Sequence, residues 1–76
     1  MTYRVDLAVR VEDALAELPG EGRQEVMETI AQALVRRDAW PEPGGWEAAL
    51  WFGPRTWVAF IASLDGIDIV NMGWAG

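Results

Sequence analysis

Few side chains in this 76-residue sequence could carry out chemistry. Arg55 and Thr56 stand together after Pro54, where a guanidinium and a hydroxyl could contact a phosphate. A solvated turn residue is the plainer interpretation of Arg55, because arginines usually stay exposed. The sequence contains no His and no Cys. An imidazole site, a thiolate site and a disulfide are therefore excluded.

Paired carboxylates are a second candidate for chemistry. Glu25 and Glu28 lie one turn apart on a predicted helix, and we interpret them as part of its solvated face. Asp65 and Asp68 flank a predicted hairpin, but Ca²⁺ takes many oxygen ligands from one loop, and two carboxylates are too few. We therefore predict no metal site. We also predict no cofactor, because the surrounding sequence does not fit a phosphate-binding loop at Gly20, Gly22, Gly44 and Gly45.

The charge of the chain bears on its partners. Six Arg and no Lys stand against twelve Asp and Glu, which gives a net charge of −6. Such a chain repels phosphate on average, so we do not expect DNA as a partner. Arg36 and Arg37 could extend an anion-binding groove. We interpret them instead as favourable charges at the C-terminal end of a helix.

Five tryptophans are the candidate binding residues. We expect the side chain of Trp40, beside Pro41, to pack at the edge of the core. The alternative is an exposed tryptophan that recognises a partner. Trp46, Trp51 and Trp57 could form an aromatic surface. Core packing is the default for these three, and a protein-binding face is the alternative, because Trp is enriched at interface hot spots. Trp74 completes the set.

Hydrophobic spacing predicts the elements that must position these residues. Alternating apolar residues over positions 3–9 predict a strand with one buried face. Apolar residues at helical spacing over 11–18 predict a short first helix. A tight link at 19–22 follows, and a second helix is predicted from about 23 to 37. The two helices are expected to form a hairpin that lies on a sheet.

Three antiparallel strands are predicted in the C-terminal half, over residues 47–52, 57–64 and 67–72, after a loop at 38–45. One turn is expected at Gly53-Pro54-Arg55-Thr56. The other is expected at Asp65-Gly66, where the residue pair predicts a type I′ turn with φ > 0 at both central positions.

The central strand of this meander, residues 57–64, is apolar on both faces. The helical hairpin covers only one of them. The other face must meet the loop tryptophans, a second copy of the chain or a partner protein. We predict a homodimer on this ground.

The length predicts a single domain over residues 1–76, of the α+β class and with the order β-α-α-β-β-β. No apolar run reaches the roughly 18 residues of a membrane span. The N-terminal stretch alternates and lacks the apolar block of a signal peptide. We therefore expect a cytoplasmic protein that does not contact the membrane.

Three segments together resemble the RelE/ParE family of bacterial toxins. They read YRVDLAVRVEDALAELP, GRQEVMETIAQAL and WEAALWFGPRTWVAFIASLDGIDIVNMGW. The family opens with a strand that begins with Tyr and runs into Ala-x-x-x-Leu, and its later leucine-containing strand precedes an Arg near a turn. The resemblance covers nearly the whole chain, as a pattern of element order and apolar spacing. It implies a helical hairpin packed on a small twisted antiparallel sheet.

The functional implication of the resemblance is a small toxin held by an antitoxin. RelE-like members cut mRNA on the ribosome, and ParE-like members act on DNA gyrase. The RelE-like chemistry uses basic residues, often with a Tyr or His near the C-terminus, to bind phosphates and stabilise charge. Arg55 is the one position that carries over as a catalytic candidate.

The chain also departs from the family pattern. It has no Lys and no His, and its single Tyr is Tyr3, in the first predicted strand. Gly73 and Trp74 stand where the family often places His-Arg. We therefore predict a protein-interaction module, bound by an antitoxin-like protein or by a second copy. An mRNA endoribonuclease that depends on the ribosome and a ParE-like gyrase inhibitor are the alternatives.

Overall fold

Within residues 3–76, two helices and four strands follow one another in the order β-α-α-β-β-β, as the sequence predicts. The computed structural model describes residues 3–76. Within that range, no helix is both long and apolar enough to cross a membrane. The elements are β1 (Arg4–Leu7), α1 (Val9–Glu17), α2 (Gly20–Val35), a 3₁₀ turn (Arg37–Ala39), β2 (Ala49–Phe52), β3 (Thr56–Ser63) and β4 (Gly66–Trp74).

The four strands form one mixed sheet in the order β1-β4-β3-β2. β3 pairs antiparallel with both β2 and β4, which confirms the predicted meander. β1 pairs parallel with β4, so the wholly antiparallel sheet that we predicted is wrong at this edge. A parallel pair needs a long crossover between its strands, and the two helices and the β2–β3 hairpin supply it.

Both helices begin at residues other than those predicted. Val9 is the first residue of α1 rather than the last of the strand, and the bond from the Ala8 N–H to the Ile69 carbonyl is the last that this segment makes to β4 before the helix. Gly20 begins α2, so residues 19–22 are not a link. Pro19 caps that helix, and its carbonyl accepts a 3.0 Å hydrogen bond from the Arg23 N–H. A proline lacks an N–H, which costs nothing at a helix start where the first N–H groups have no intrahelical partner.

The turn between β3 and β4 differs from the predicted type I′ turn. Leu64 and Asp65 form it, and Ser63 pairs with Gly66 across it. Among the described residues only Gly44 has a positive φ, so neither turn residue adopts the conformation that a type I′ turn requires. Gly66 instead belongs to β4, where a Cβ would overlap the backbone of Arg4 on β1.

The core lies between the helices and one face of the sheet. Helical residues at i, i+4 spacing meet alternate residues of β3 and β4, as the two periodicities require. In the described part of the chain, no helix packs on the other face of the sheet. The buried apolar residues of this core are Val11, Leu15, Val26, Ile30, Ala33, Val58, Phe60, Ala62, Ile67, Ile69 and Met72.

Candidate functional site

The sheet face opposite the helices is apolar on β2 and β3. Phe52 pairs with Trp57 and Leu50 with Ala59, while the alternate residues of both strands point to the core. Phe52 is 66% exposed and Leu50 57% exposed. With the half-buried Trp57 and Ile61, these residues form an apolar surface, which we call the open face (Leu50, Phe52, Trp57, Ala59 and Ile61). Ala59 lies between them in the sheet but is itself buried, at 8% exposure.

The side chain of Trp57 packs against the neighbouring strand β4. Its ring lies over Gly73 of β4, at a place where a Cβ would overlap the indole nitrogen. A tryptophan that covers a glycine on a neighbouring strand stabilises the sheet. Trp57 remains half-buried in this position. Of the five candidate tryptophans, Trp57 is the one that lies on the open face.

A carboxylate cluster adjoins the open face across the sheet. Ile61 on β3 pairs with Asp68 on β4, which in turn pairs with Asp6 on β1. Arg4 lies among the carboxylates: its Nε is 3.3 Å from Asp65, its Nη1 is 3.0 Å from Asp68, and Asp6 is a further ion-pair partner. We call these four residues the Arg4 cluster.

The Arg4 cluster is negatively charged overall. Three carboxylates surround one guanidinium, which leaves negative charge in excess. The hydrogen bond from Arg4, helped by one from the Ser63 hydroxyl, lowers the pKa of Asp65, so that carboxyl stays ionised. Asp6 and Asp65 have side chains that are 62% and 69% exposed, so their charge faces solvent.

Arg55 lies at the β2–β3 turn, as predicted, but its charge is paired. Its Nε donates to Glu25 at 3.0 Å and its Nη2 to Glu21 at 2.6 Å, with a second bond to Glu25. The guanidinium also lies 5.5 Å from the centre of the Trp74 ring. The hydrogen bonds that Arg55 donates to Glu25 and Glu21 raise the pKa of Arg55, and the bond to Glu25 lowers the pKa of that carboxyl. A phosphate would have to displace both carboxylates.

Thr56, the predicted companion of Arg55, points the other way. It is buried, and its hydroxyl shares a hydrogen bond with the hydroxyl of Thr29 on α2. The Thr29 hydroxyl also donates to the Glu25 carbonyl at 2.9 Å. Thr56 therefore joins the hairpin to the helix and does not form a site with Arg55.

Trp74 packs on α2. Its ring covers Gly22, where a Cβ would stand 3.0 Å from the nearest ring carbon, and its Nε1 lies 3.4 Å from the Glu25 carboxylate. Arg55 stacks on the same ring. Trp74 thus holds the end of β4 against the helix.

Trp40 and Trp51 pack at the edge of the core. The Trp40 Nε1 donates to the Ala33 carbonyl at 2.9 Å, and its ring meets Tyr3 edge-on at 5.5 Å. Trp51 lies on the helix side of β2, under the Arg36 guanidinium. Its indole N–H is buried and has no hydrogen-bond partner within residues 3–76. The contacts of Trp40 with Ala33 and Tyr3 agree with the interpretation of Trp40 as a residue at the edge of the core.

Trp46 lies in the loop before β2 and is 99% exposed. With Pro41, Glu42 and Glu47 it lines a shallow surface cavity. The Gly44 N–H donates to the Ala62 carbonyl at 3.0 Å, which places this loop beside β3. The five tryptophans therefore do not form one surface: three pack on the helix side, one lies on the open face and one stands in the loop.

The sequence interpretation missed Leu50 and Phe52. The sequence of β2 could have indicated them, because Ala49, Leu50, Trp51 and Phe52 are all apolar. Side chains alternate between the faces of a strand, so this strand has an apolar residue on both faces.

The other charged candidates have structural contacts. Arg36 pairs with Asp38 at 3.1 Å, and Arg37 donates to the Tyr3 hydroxyl and stacks on Trp40. In the described part of the chain, no group of three or more carboxylates is arranged to hold a metal ion.

The chain was compared with protein-family models, with curated proteins and with solved structures, and none of the three comparisons gave a match.

Proposed function

We propose that this chain is a protein-interaction module that binds a partner protein through the open face. The observation that carries the proposal is the exposure of Leu50 and Phe52 beside Trp57 on a sheet whose other face is fully packed. A contiguous exposed apolar patch on a small domain is typical of a binding surface, because it is costly to leave in water. Trp57 in this patch supplies the kind of side chain that dominates interface energies.

The form of this module that the sequence resemblance supports is a RelE/ParE-like domain held by a cognate antitoxin-like protein. The order β-α-α-β-β-β and the C-terminal meander agree with that resemblance. The contacts of Arg55 disfavour the endoribonuclease alternative, because its guanidinium already forms ion pairs with Glu21 and Glu25. An electrostatic catalyst needs its cation free to meet the developing negative charge.

The test is capture of the partner on immobilised protein variants. The double variant Leu50→Ser/Phe52→Ser makes the open face polar at two exposed positions, so its fold is expected to persist. The matched control is Val9→Ser/Val35→Ser, which removes from the helices two apolar side chains that are even more exposed than Leu50 and Phe52. We expect a protein from the lysate of the source organism to bind the native chain and the control, and to bind the open-face variant at least about tenfold more weakly.

Two further results complete the test. Circular dichroism must show the same helix and sheet content for all three proteins. Equal capture by the open-face variant and the native chain would reject the open face as the binding surface.

A further inference from the structure

We infer that the open face receives a basic amphipathic segment of another protein, rather than a second copy of this chain. The inference rests on the function proposed above and adds the chemistry of the partner. Its basis is the arrangement of apolar and acidic residues on one surface.

The apolar and acidic parts of this surface adjoin each other where three residues pair across neighbouring strands. Ile61, Asp68 and Asp6 are successive cross-strand partners on β3, β4 and β1. Neighbouring strands lie about 4.8 Å apart, so the first carboxylate is one strand away from the apolar half. A segment with an apolar stripe flanked by Lys or Arg would place its stripe on Phe52 and Trp57 and its cations beside the Arg4 cluster.

The loop beside β3 adds acidic groups next to the same sheet. Glu42 and Glu47 flank the fully exposed Trp46, and the Gly44–Ala62 hydrogen bond holds this loop at the strand edge. Carboxylates therefore stand on the β1–β4 side of the open face and in the loop beside β3. Electrostatic complementarity of this kind selects the sign of the partner's charge and speeds encounter.

A second copy fits this surface poorly. Each chain carries a net charge of −6, so a face-to-face dimer would bring two acidic clusters close together. Three of the six arginines that could offset this charge, Arg4, Arg36 and Arg55, already lie in ion pairs within their own chain. Like charges set against each other at an interface cost affinity. The predicted homodimer is thus one of the outcomes to be tested.

The test uses two synthetic helical peptides with identical leucine positions. One peptide carries lysine at its polar positions and the other carries glutamate, and each has a fluorescein label. Binding to the native chain is followed by fluorescence anisotropy at low and at physiological ionic strength. We expect the lysine peptide to bind at least about tenfold more tightly than the glutamate peptide, with an affinity that falls as salt is added.

Two pairs of variants locate the binding. Asp6→Asn/Asp68→Asn removes two charges from the Arg4 cluster and leaves Asp65 to pair with Arg4. Glu12→Gln/Glu17→Gln removes two exposed charges from α1. We expect the first variant to weaken binding of the lysine peptide on the order of tenfold, and the second to leave it within about twofold. Leu50→Ser/Phe52→Ser should abolish binding, and Val9→Ser/Val35→Ser should not.

Three results would overturn the inference. The first is equal binding of the two peptides, or binding of neither, and the second is an equal loss in the two charge variants. In either case, capture of a lysate protein that still depends on Leu50 and Phe52 would leave the proposed function standing. The third is sedimentation of the native chain at twice 8.4 kDa, with the open-face variant at 8.4 kDa, which would show that a second copy covers the face.

Discussion

The guanidinium of Arg55 joins the β2–β3 turn to α2 through Glu21 and Glu25, and it stacks on Trp74 at the end of β4. One side chain therefore holds three elements together. The hydrogen bond from Arg55 lowers the pKa of Glu25 below its ordinary value of 4.5. A carboxylate with a lowered pKa stabilises the fold while it is ionised.

We therefore predict a specific pH dependence for Glu25→Gln. The pKa of Glu25 is lower in the folded chain than in the unfolded chain, so its contribution is complete above about pH 4.5 and is lost as pH falls through the lower folded value. The melting temperature of the variant should lie a few degrees below that of the native chain at pH 7. The gap should narrow as pH falls below about 4.5, because protonation of Glu25 removes its ion pair with Arg55.

The matched control for this prediction is Glu28→Gln, three residues along the same helix. Glu28 is exposed and has no salt bridge within residues 3–76, so its replacement removes the same charge without breaking a contact. Thermal melts of the three proteins from pH 7 to pH 3 provide the comparison. A gap between Glu25→Gln and the native chain that stays constant over this range would contradict the prediction.

At the scale of elements, α2 contains two glycines in different surroundings. At Gly20 the nearest atom to a new Cβ is 4.0 Å away, whereas at Gly22 three carbons of the Trp74 ring lie within 3.0–3.2 Å. Alanine favours a helix over glycine by up to about 1 kcal/mol. We expect Gly20→Ala to stabilise the chain by about 0.5 kcal/mol and Gly22→Ala to destabilise it by about 1 kcal/mol, because the ring must move.

A double-mutant cycle with Trp74→Ala separates the two effects. Without the ring, Gly22→Ala should become stabilising, as Gly20→Ala is in both backgrounds. Urea denaturation of the six proteins gives the free energies of unfolding. If Gly22→Ala costs the same with and without Trp74, the contact between this helix and the C-terminal strand does not constrain position 22.

These glycines also mark what apolar spacing could and could not predict. Spacing predicted both helices and all four strands, because each element has an apolar side at its own period. It placed the start of α2 three residues late, because Gly20 and Gly22 resemble a loop until the Trp74 ring is seen above the second one. The parallel edge was equally hidden, because β1 meets β4 at Gly66, more than sixty residues along the chain.

The sequence predicted the β3 part of the open face but not the β2 part. Two apolar sides on residues 57–64 indicated that one face of the sheet lacks a cover. Which residues of β2 lie on that face depends on pairing with β3, where Trp51 is opposite Val58 and Phe52 is opposite Trp57. A shift of one residue would exchange the faces of β2. The register is a tertiary property, so Trp51 was proposed as a binding residue although it lies on the helix side.

At the scale of the whole molecule, the charge of the chain complements its exposed apolar surface. A sheet with one face packed and one face open would promote self-association in a neutral protein. Here a net charge of −6 is spread over 76 residues, and repulsion between copies opposes it. On the same ground we expect a basic protein surface to be a favourable contact and a nucleic acid to be an unfavourable one.

We therefore predict that the chain neither binds nor cleaves RNA at physiological salt, with or without ribosomes. Phosphate contacts need free cations, and three of the six arginines, Arg4, Arg36 and Arg55, are already paired with carboxylates. Anisotropy of a labelled single-stranded RNA and gel analysis of its integrity measure both properties.

Glu21→Gln/Glu25→Gln, which frees Arg55, should bind this RNA more tightly than the native chain at low salt, and adding Arg55→Ala should remove the gain. Cleavage by the native chain that disappears in Arg55→Ala would instead show that Arg55 leaves its carboxylate partners when it meets RNA, and would restore the endoribonuclease alternative.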